Sequence, residues 1–303
     1  MVSRSIGRRK TLSKILIFVC FVCLIGGAFF LFLMIINAGN DVAPVEILND
    51  DRTPQEPQTT EDRLPEAVDF QPVVDEWVQS VNGNKSVAIY DLERDEMAAS
   101  YNLSENYNTA SLYKLFVVYE GYRLVQSGEW QADALAGSTG YSILECLDLS
   151  IRESYSPCAE TLWAEIGHDK LDEIIESDFE IHDSSISTLT SNASDITKMM
   201  KIFYEHTDVT DDELIKTMKD SFLNQPATTY NWRQGLPSGF QSANVYNKVG
   251  WDYNPAGYWN VYHDAAIVEF SDGRHFVVVV MTNRVPFEKI RQFGSQLENA
   301  YSN

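Results

Sequence analysis

The sequence predicts an α+β domain (α/β in the broad sense), with one antiparallel five-stranded sheet, helices on both faces and a helical subdomain, behind an N-terminal transmembrane helix. Three observations predict it. Two strand-like runs open the folded part and three close it, with a long helical stretch between them. A 22-residue uncharged run, Ile15 to Ile36, lies near the N-terminus. Between that run and the first strand the chain is rich in proline and acid.

The uncharged run would reach about 33 Å as a helix, the thickness of a bilayer core. Arg4, Arg8, Arg9, Lys10 and Lys14 precede it and no acidic residue occurs before Asp41. That bias predicts a cytoplasmic N-terminus and an exported remainder. A cleaved signal peptide fits less well, because the run exceeds the usual apolar length of such peptides and no clear A-x-A site follows it. The expected organisation is a cytoplasmic basic tail (1–14), a membrane anchor (15–37), a flexible linker (38–72) and one folded domain (73–303).

Asp41 to Pro72 holds five of the ten prolines and few large apolar residues, so it cannot bury enough surface to offset its ordering entropy. Of the 23 basic residues five precede the anchor, against 44 acidic ones, so the exported part carries about −26. Nucleic acid and anionic membrane surfaces are therefore poor partners.

Val74 to Val81 reads as a helix, and Ser86 to Leu92 and Glu96 to Asn102 read as strands around a Glu93-Arg94-Asp95 turn. An apolar helix follows, opening at Ser111. Further helices are expected over Tyr141 to Arg152, Cys158 to Ile166, Leu171 to Glu176 and Ser194 to His206, the last from Ile196, Met199, Met200 and Phe203. Val245 to Val249, Ala265 to Phe270 and Phe276 to Thr282 are strands, with an Asp272-Gly273 hairpin turn, and Pro286 to Tyr301 is a closing helix.

The apolar helix begins with chemistry. Ser111 and Lys114 are three residues apart and share one helical face. A serine hydroxyl becomes a nucleophile when a base takes its proton, and lysine can do so only when neutral. Bringing its pKa from about 10.4 to about 7.5 requires roughly 4 kcal/mol of desolvation. Leu112, Leu115, Phe116, Val117 and Val118 make the helix apolar nearly all round, which predicts that burial.

Downstream, Ser154-Tyr155-Ser156 lies in a break between helices, and Lys248-Val249-Gly250 lies on a strand before Trp251. In this order the three stretches resemble the S-x-x-K, S-D-N and K-T-G motifs of class A β-lactamases and their penicillin-binding relatives. The resemblance extends from about Ser86 to Ser302. It implies a β-lactamase/transpeptidase-like fold in which Ser111 is the acylated nucleophile, Lys114 its base, and Ser154 the hydroxyl that passes a proton to the leaving nitrogen. Lys248 would anchor a substrate carboxylate, with Ser156, Val249, Gly250 and Trp251 around the substrate, and the N–H groups of Ser111 and Trp251 would form an oxyanion hole.

The sequence departs from the motifs at three places. Ser156 stands where the family has Asn, and Val249 where it has Thr or Ser. No E-x-x-L-N motif, the source of the class A deacylating Glu, occurs between Gly167 and Thr190; Glu176, Asp178, Glu180 and Asp183 are acids there, read as surface charge. Cys146 and Cys158 are either buried thiols or, in an oxidising compartment, a disulfide; with the resemblance they would flank the Ser154 turn. Trp251, Tyr253, Tyr258, Trp259 and Tyr262 crowd the region after Lys248, as core packing or as a cleft lining.

His168, His182, His206, His263 and His275 show no metal-ligand spacing, and no phosphate loop or G-x-S-x-G elbow occurs. No metal or other cofactor is expected. The resemblance thus implies a membrane-anchored, extracytoplasmic serine hydrolase acting on a β-lactam, as in an antibiotic response. The alternatives are a D-alanyl-D-alanine carboxypeptidase acting on the peptidoglycan stem peptide and a non-turnover penicillin-binding sensor.

Overall fold

A computed structural model of the chain describes residues 65–208, 213–223, 232–253 and 260–302. The expected membrane anchor and most of the linker lie outside these residues. Among the described residues no helix is long and apolar enough to cross a membrane.

In chain order the elements are α1 (Gln71–Ser80), β1 (Asn84–Asp91), β2 (Glu96–Tyr101), β3 (Tyr107–Asn108), a 3-10 turn (Ala110–Leu112) and α2 (Tyr113–Gln126). Then come α3 (Ile143–Arg152), α4 (Ser156–Ile166), α5 (His168–Ser177), β4 (Thr190–Ser191), α6 (Ala193–Asp208) and α7 (Glu213–Leu223). A 3-10 turn (Leu236–Ser238), β5 (Asn244–Tyr253), β6 (Asn260–Glu269), β7 (His275–Asn283) and α8 (Phe287–Tyr301) complete the domain. Folded structure starts slightly ahead of the expected boundary at Val73, because Phe70 is buried against Phe276 at a ring distance of 5.3 Å.

The sheet runs β2-β1-β7-β6-β5, antiparallel throughout. Its centre joins the two ends of the domain, with Ala88 of β1 opposite Val279 of β7. Seven successive residues of β7, Phe276 to Thr282, are buried, so this strand shows no polar alternation. The reason is that both faces are covered. Val277, Val279 and Met281 face the body built from α2 to α7, while Phe276, Val278 and Val280 face α1 and α8. Full burial of each such side chain is worth about 1.5 to 3 kcal/mol.

Helix α2 runs through the helical body, and eleven of its fourteen residues are buried. Gly121 permits its approach to α3, since a Cβ there would lie 2.5 Å from Leu147 Cδ2. Helix α3 starts at Ile143 rather than Tyr141 because Ser142 and Glu145 form a reciprocal capping box. Helix α7 has no counterpart among the expected elements, although Leu214, Met218 and Phe222 recur at helical spacing; burial of Met218 and Phe222 holds it.

A disulfide joins Cys146 of α3 to Cys158 of α4, with Cα atoms 4.9 Å apart. It ties together the helices on either side of the Ser154 turn. The bridge closes a loop of twelve-residue separation, and loop-closure entropy of that size corresponds to about 3 kcal/mol. The double variant Cys146→Ser/Cys158→Ser is expected to lose stability of that order, read as a lower urea midpoint, with an m-value no smaller than that of the wild type because the unfolded chain is released from its cross-link.

Candidate active site

Ser111 lies in the 3-10 turn rather than on the α-helix, which begins two residues later. Ala110, just before it, has φ of 43°, a left-handed conformation that costs a residue bearing a Cβ about 1 to 2 kcal/mol. Neighbours hold this turn. The Ala110 N–H donates to Asn108 Oδ1 (2.8 Å) and the Thr109 N–H to the Leu189 carbonyl (2.8 Å). His263 Nε2 donates to the Asn108 carbonyl (2.8 Å), while its Nδ1 accepts from the Thr282 N–H (3.0 Å). Burial pushes His263 down to about 4, so it is a neutral strut between sheet and turn.

Strand β5 presses on the turn from the sheet side. A Cβ at Gly250 would lie 2.7 Å from the Thr109 carbonyl and 2.9 Å from Leu112 Cγ, so only glycine fits. This contact brings β5 at Gly250 against the turn that carries Ser111. The Val249 side chain points away, into the apolar cluster with α1 and α8, and its carbonyl accepts from Lys248 Nζ at 2.7 Å. Val249 therefore presents only main chain toward the site, and the methyl groups that replace the family's hydroxyl serve the core.

Lys114 is fully buried, and its Nζ lies within hydrogen-bonding distance of Ser111 Oγ (3.1 Å), Ser156 Oγ (3.0 Å), Ser154 Oγ (3.3 Å) and the Ser154 carbonyl (2.6 Å). Desolvation lowers its pKa to about 8, against the opposing field of Glu160. Near neutral pH a usable fraction of Lys114 is thus uncharged, and the same 3.1 Å contact lets Ser111 donate its proton to the amine.

Ser154, with φ of 54°, forms the left-handed link between α3 and α4. The conformation turns both its carbonyl and its hydroxyl toward Lys114. The Glu153 carbonyl beside it accepts from Trp232 Nε1 at 3.0 Å. Ser154 Oγ also accepts from Lys248 Nζ at 2.9 Å, so one hydroxyl bridges the two lysines. Lys248 is 1% exposed, and burial and the neighbouring Lys114 push its pKa well below that of a free lysine.

Beneath Lys248 lies a polar group that the sequence analysis did not single out. Asp264 is fully buried and accepts from Asn247 Nδ2 (2.8 Å) and the Leu236 N–H (2.7 Å). Burial raises it to about 7, and its field opposes the lowering of Lys248. Gly235 is required beside it, since a Cβ there would lie 2.2 Å from Asp264 Oδ2. One signal was available: Asp264 is the lone acid inside the strand run Val261 to Val268.

Of the four acids noted between Gly167 and Thr190, one is paired, two more border a separate groove and one is exposed. Asp178 pairs with Arg123 (3.1 Å), twelve residues beyond Ser111 and about 18 Å along a helix. Asp178, Glu180 and Asp183 line a groove of about 530 Å³ with Lys198 and Lys201, and none of Ser111, Lys114, Ser154 or Lys248 borders it. Glu176 is exposed at the end of α5. Among the aromatic residues after Lys248, Trp251 and Tyr262 pack partly into the cluster with α1 and α8 while Tyr253 is 56% exposed; Tyr258 and Trp259 lie outside the described residues. Among the described residues no group of His, Cys, Asp and Glu is arranged to hold a metal ion.

The fold recurs in solved structures. A β-lactamase from Chitinophaga pinensis superposes with a TM-score of 0.62 at 15% identity, over 75% of this chain and 97% of that one. A class A β-lactamase representative from Bacteroides cellulosilyticus gives 0.63 at 16%, over 77% and 97%. PBP-A gives 0.63 at 17%, over 79% and 99%. No curated protein matches the chain by sequence. The family model described as the β-lactamase enzyme family matches residues 69–301, which span both lysines and all three serines of the site, and the chain belongs to that family.

Proposed function

We propose that this protein is a serine hydrolase that forms an acyl-enzyme with β-lactams through Ser111. The observation that carries the reading is the 3.1 Å contact between Ser111 Oγ and the buried Lys114 amine, whose pKa is lowered to about 8. In this reading Lys114 Nζ takes the Ser111 proton as Oγ bonds to the lactam carbonyl carbon. The oxyanion then lies between the N–H groups of Ser111 and Trp251. As the C–N bond breaks, the nitrogen takes a proton from the Ser154 hydroxyl, which a lysine amine replenishes; both Lys114 and Lys248 reach that hydroxyl. The charged form of Lys248 attracts the substrate carboxylate, and Ser156 stands where an amide would otherwise orient the acyl chain.

The domain organisation proposed with it is a cytoplasmic tail, the Ile15–Ile36 anchor, a linker and an extracytoplasmic catalytic domain. The Cys146–Cys158 disulfide supports an oxidising location. A second reading, slow release as in a D-alanyl-D-alanine peptidase or a sensor, draws support from the distant engagement of Asp178 and its neighbours.

Intact-mass analysis after exposure to a fluorescent penicillin tests the proposal. One adduct per chain is expected on Ser111, and none on Ser111→Ala. An unlabelled wild-type protein would sink the acyl-enzyme reading. The acylation rate should rise with pH as Lys114 loses its proton and level off above its pKa of about 8. Lys114→Met should slow acylation about 100-fold or more, the usual scale for loss of a general base. Gly250→Ala should displace the turn that carries Ser111 and slow acylation at least 10-fold, while the disulfide still forms and the protein still melts cooperatively.

A further inference from the structure

Three residues form one row along α4 at spacings of four and three: Ser156, Glu160 and Trp163. Both ends of the row touch the start of α2. Ser156 Oγ lies 3.0 Å from Lys114 Nζ, and the Trp163 ring packs against the Tyr113 ring at 5.3 Å. Glu160 is thereby bracketed over the Tyr113–Lys114 corner. Helical side chains lean toward the N-terminus, which puts the Glu160 side chain on the Ser156 side of that corner.

Its surroundings fit a working group rather than a structural one. Glu160 is exposed, and it makes no hydrogen bond or ion pair among the described residues. Its field reaches both Lys114 and Tyr113. The other acids nearby are committed: Glu153 pairs with Arg152 (3.3 Å), Asp148 with Arg152 (2.7 Å), and Asp264 is sealed in by Asn247 and Leu236.

We propose that Glu160 is the general base that releases the acyl group from Ser111, a role resting on the acyl-enzyme reading above. The carboxylate takes a proton from a water molecule as the water oxygen bonds to the acyl carbon. The tetrahedral intermediate then collapses with cleavage of the Ser111 Oγ–C bond, and Oγ takes a proton from Lys114, which Glu160 restores to the amine. The net change is addition of one water to the ester. Acylation does not need Glu160, because Lys114 already contacts Ser111.

The test compares wild type, Glu160→Gln and Glu160→Asp by intact mass after a pulse of fluorescent penicillin, with thermal melts alongside. Glu160→Gln is expected to melt as wild type does and to acylate within about threefold of its rate, while its adduct persists at least 100 times longer. Glu160→Asp should recover part of the release. Wild type and Glu160→Gln adducts decaying at one rate, or a wild-type adduct that does not decay, would overturn the role of Glu160 and leave acylation at Ser111 standing. A wild-type protein that takes no label removes both.

Discussion

The Lys114 amine is held out of water within reach of oxygens from Ser111, Ser154 and Ser156, and the surrounding structure is fitted to that constraint. An isolated ammonium at full burial would cost several kcal/mol, and the protein answers by lowering its pKa and supplying oxygen partners. The partners come from two places far apart in the chain. Ser111 lies on a strained 3-10 turn and Ser154 on a left-handed helix-to-helix link, and neither conformation is stable in isolation. Both are imposed by neighbours: the turn by Asn108, His263 and the close approach of Gly250, the link by Trp232 and the helices joined through Cys146–Cys158.

The sheet makes that possible. Because β1 pairs with β7, the first and last strands of the domain form one rigid centre, and β5 at the edge is aligned through β6 to lie against the nucleophile turn. Lys248 reaches Ser154 from this edge. The second lysine, buried beside the first, is pushed further down by it, and Asp264 beneath it limits the effect. The site is thus two amines joined by a hydroxyl, with a buried carboxyl below one and an exposed carboxylate beside the other.

Much of this was legible in residue order. The five strands, the central apolar helix, the hairpin turn at Asp272-Gly273 and the helices around Ser154 all lie within a few residues of where apolar period and turn residues place them. Ser111, Lys114, Ser154, Ser156 and Lys248 do converge. The unread parts share a cause. Asp264 is one acid in an apolar strand whose meaning depends on Lys248 from the adjacent strand. Glu160 resembles any surface glutamate until Ser156 and Trp163 are seen to touch α2 on either side of it.

By itself the sequence determined the layers of this domain and the burial of the helix that carries Lys114, since these follow from local periodicity and hydrophobic content, while the serine and lysines were pointed to by the order of three motifs that resemble a known family. Tertiary structure alone decided which way Val249 faces, which acids lie near the serine, and how far the Lys114 pKa falls. Those outcomes depend on distances between segments tens of residues apart, and on water excluded by packing, neither of which a linear pattern encodes.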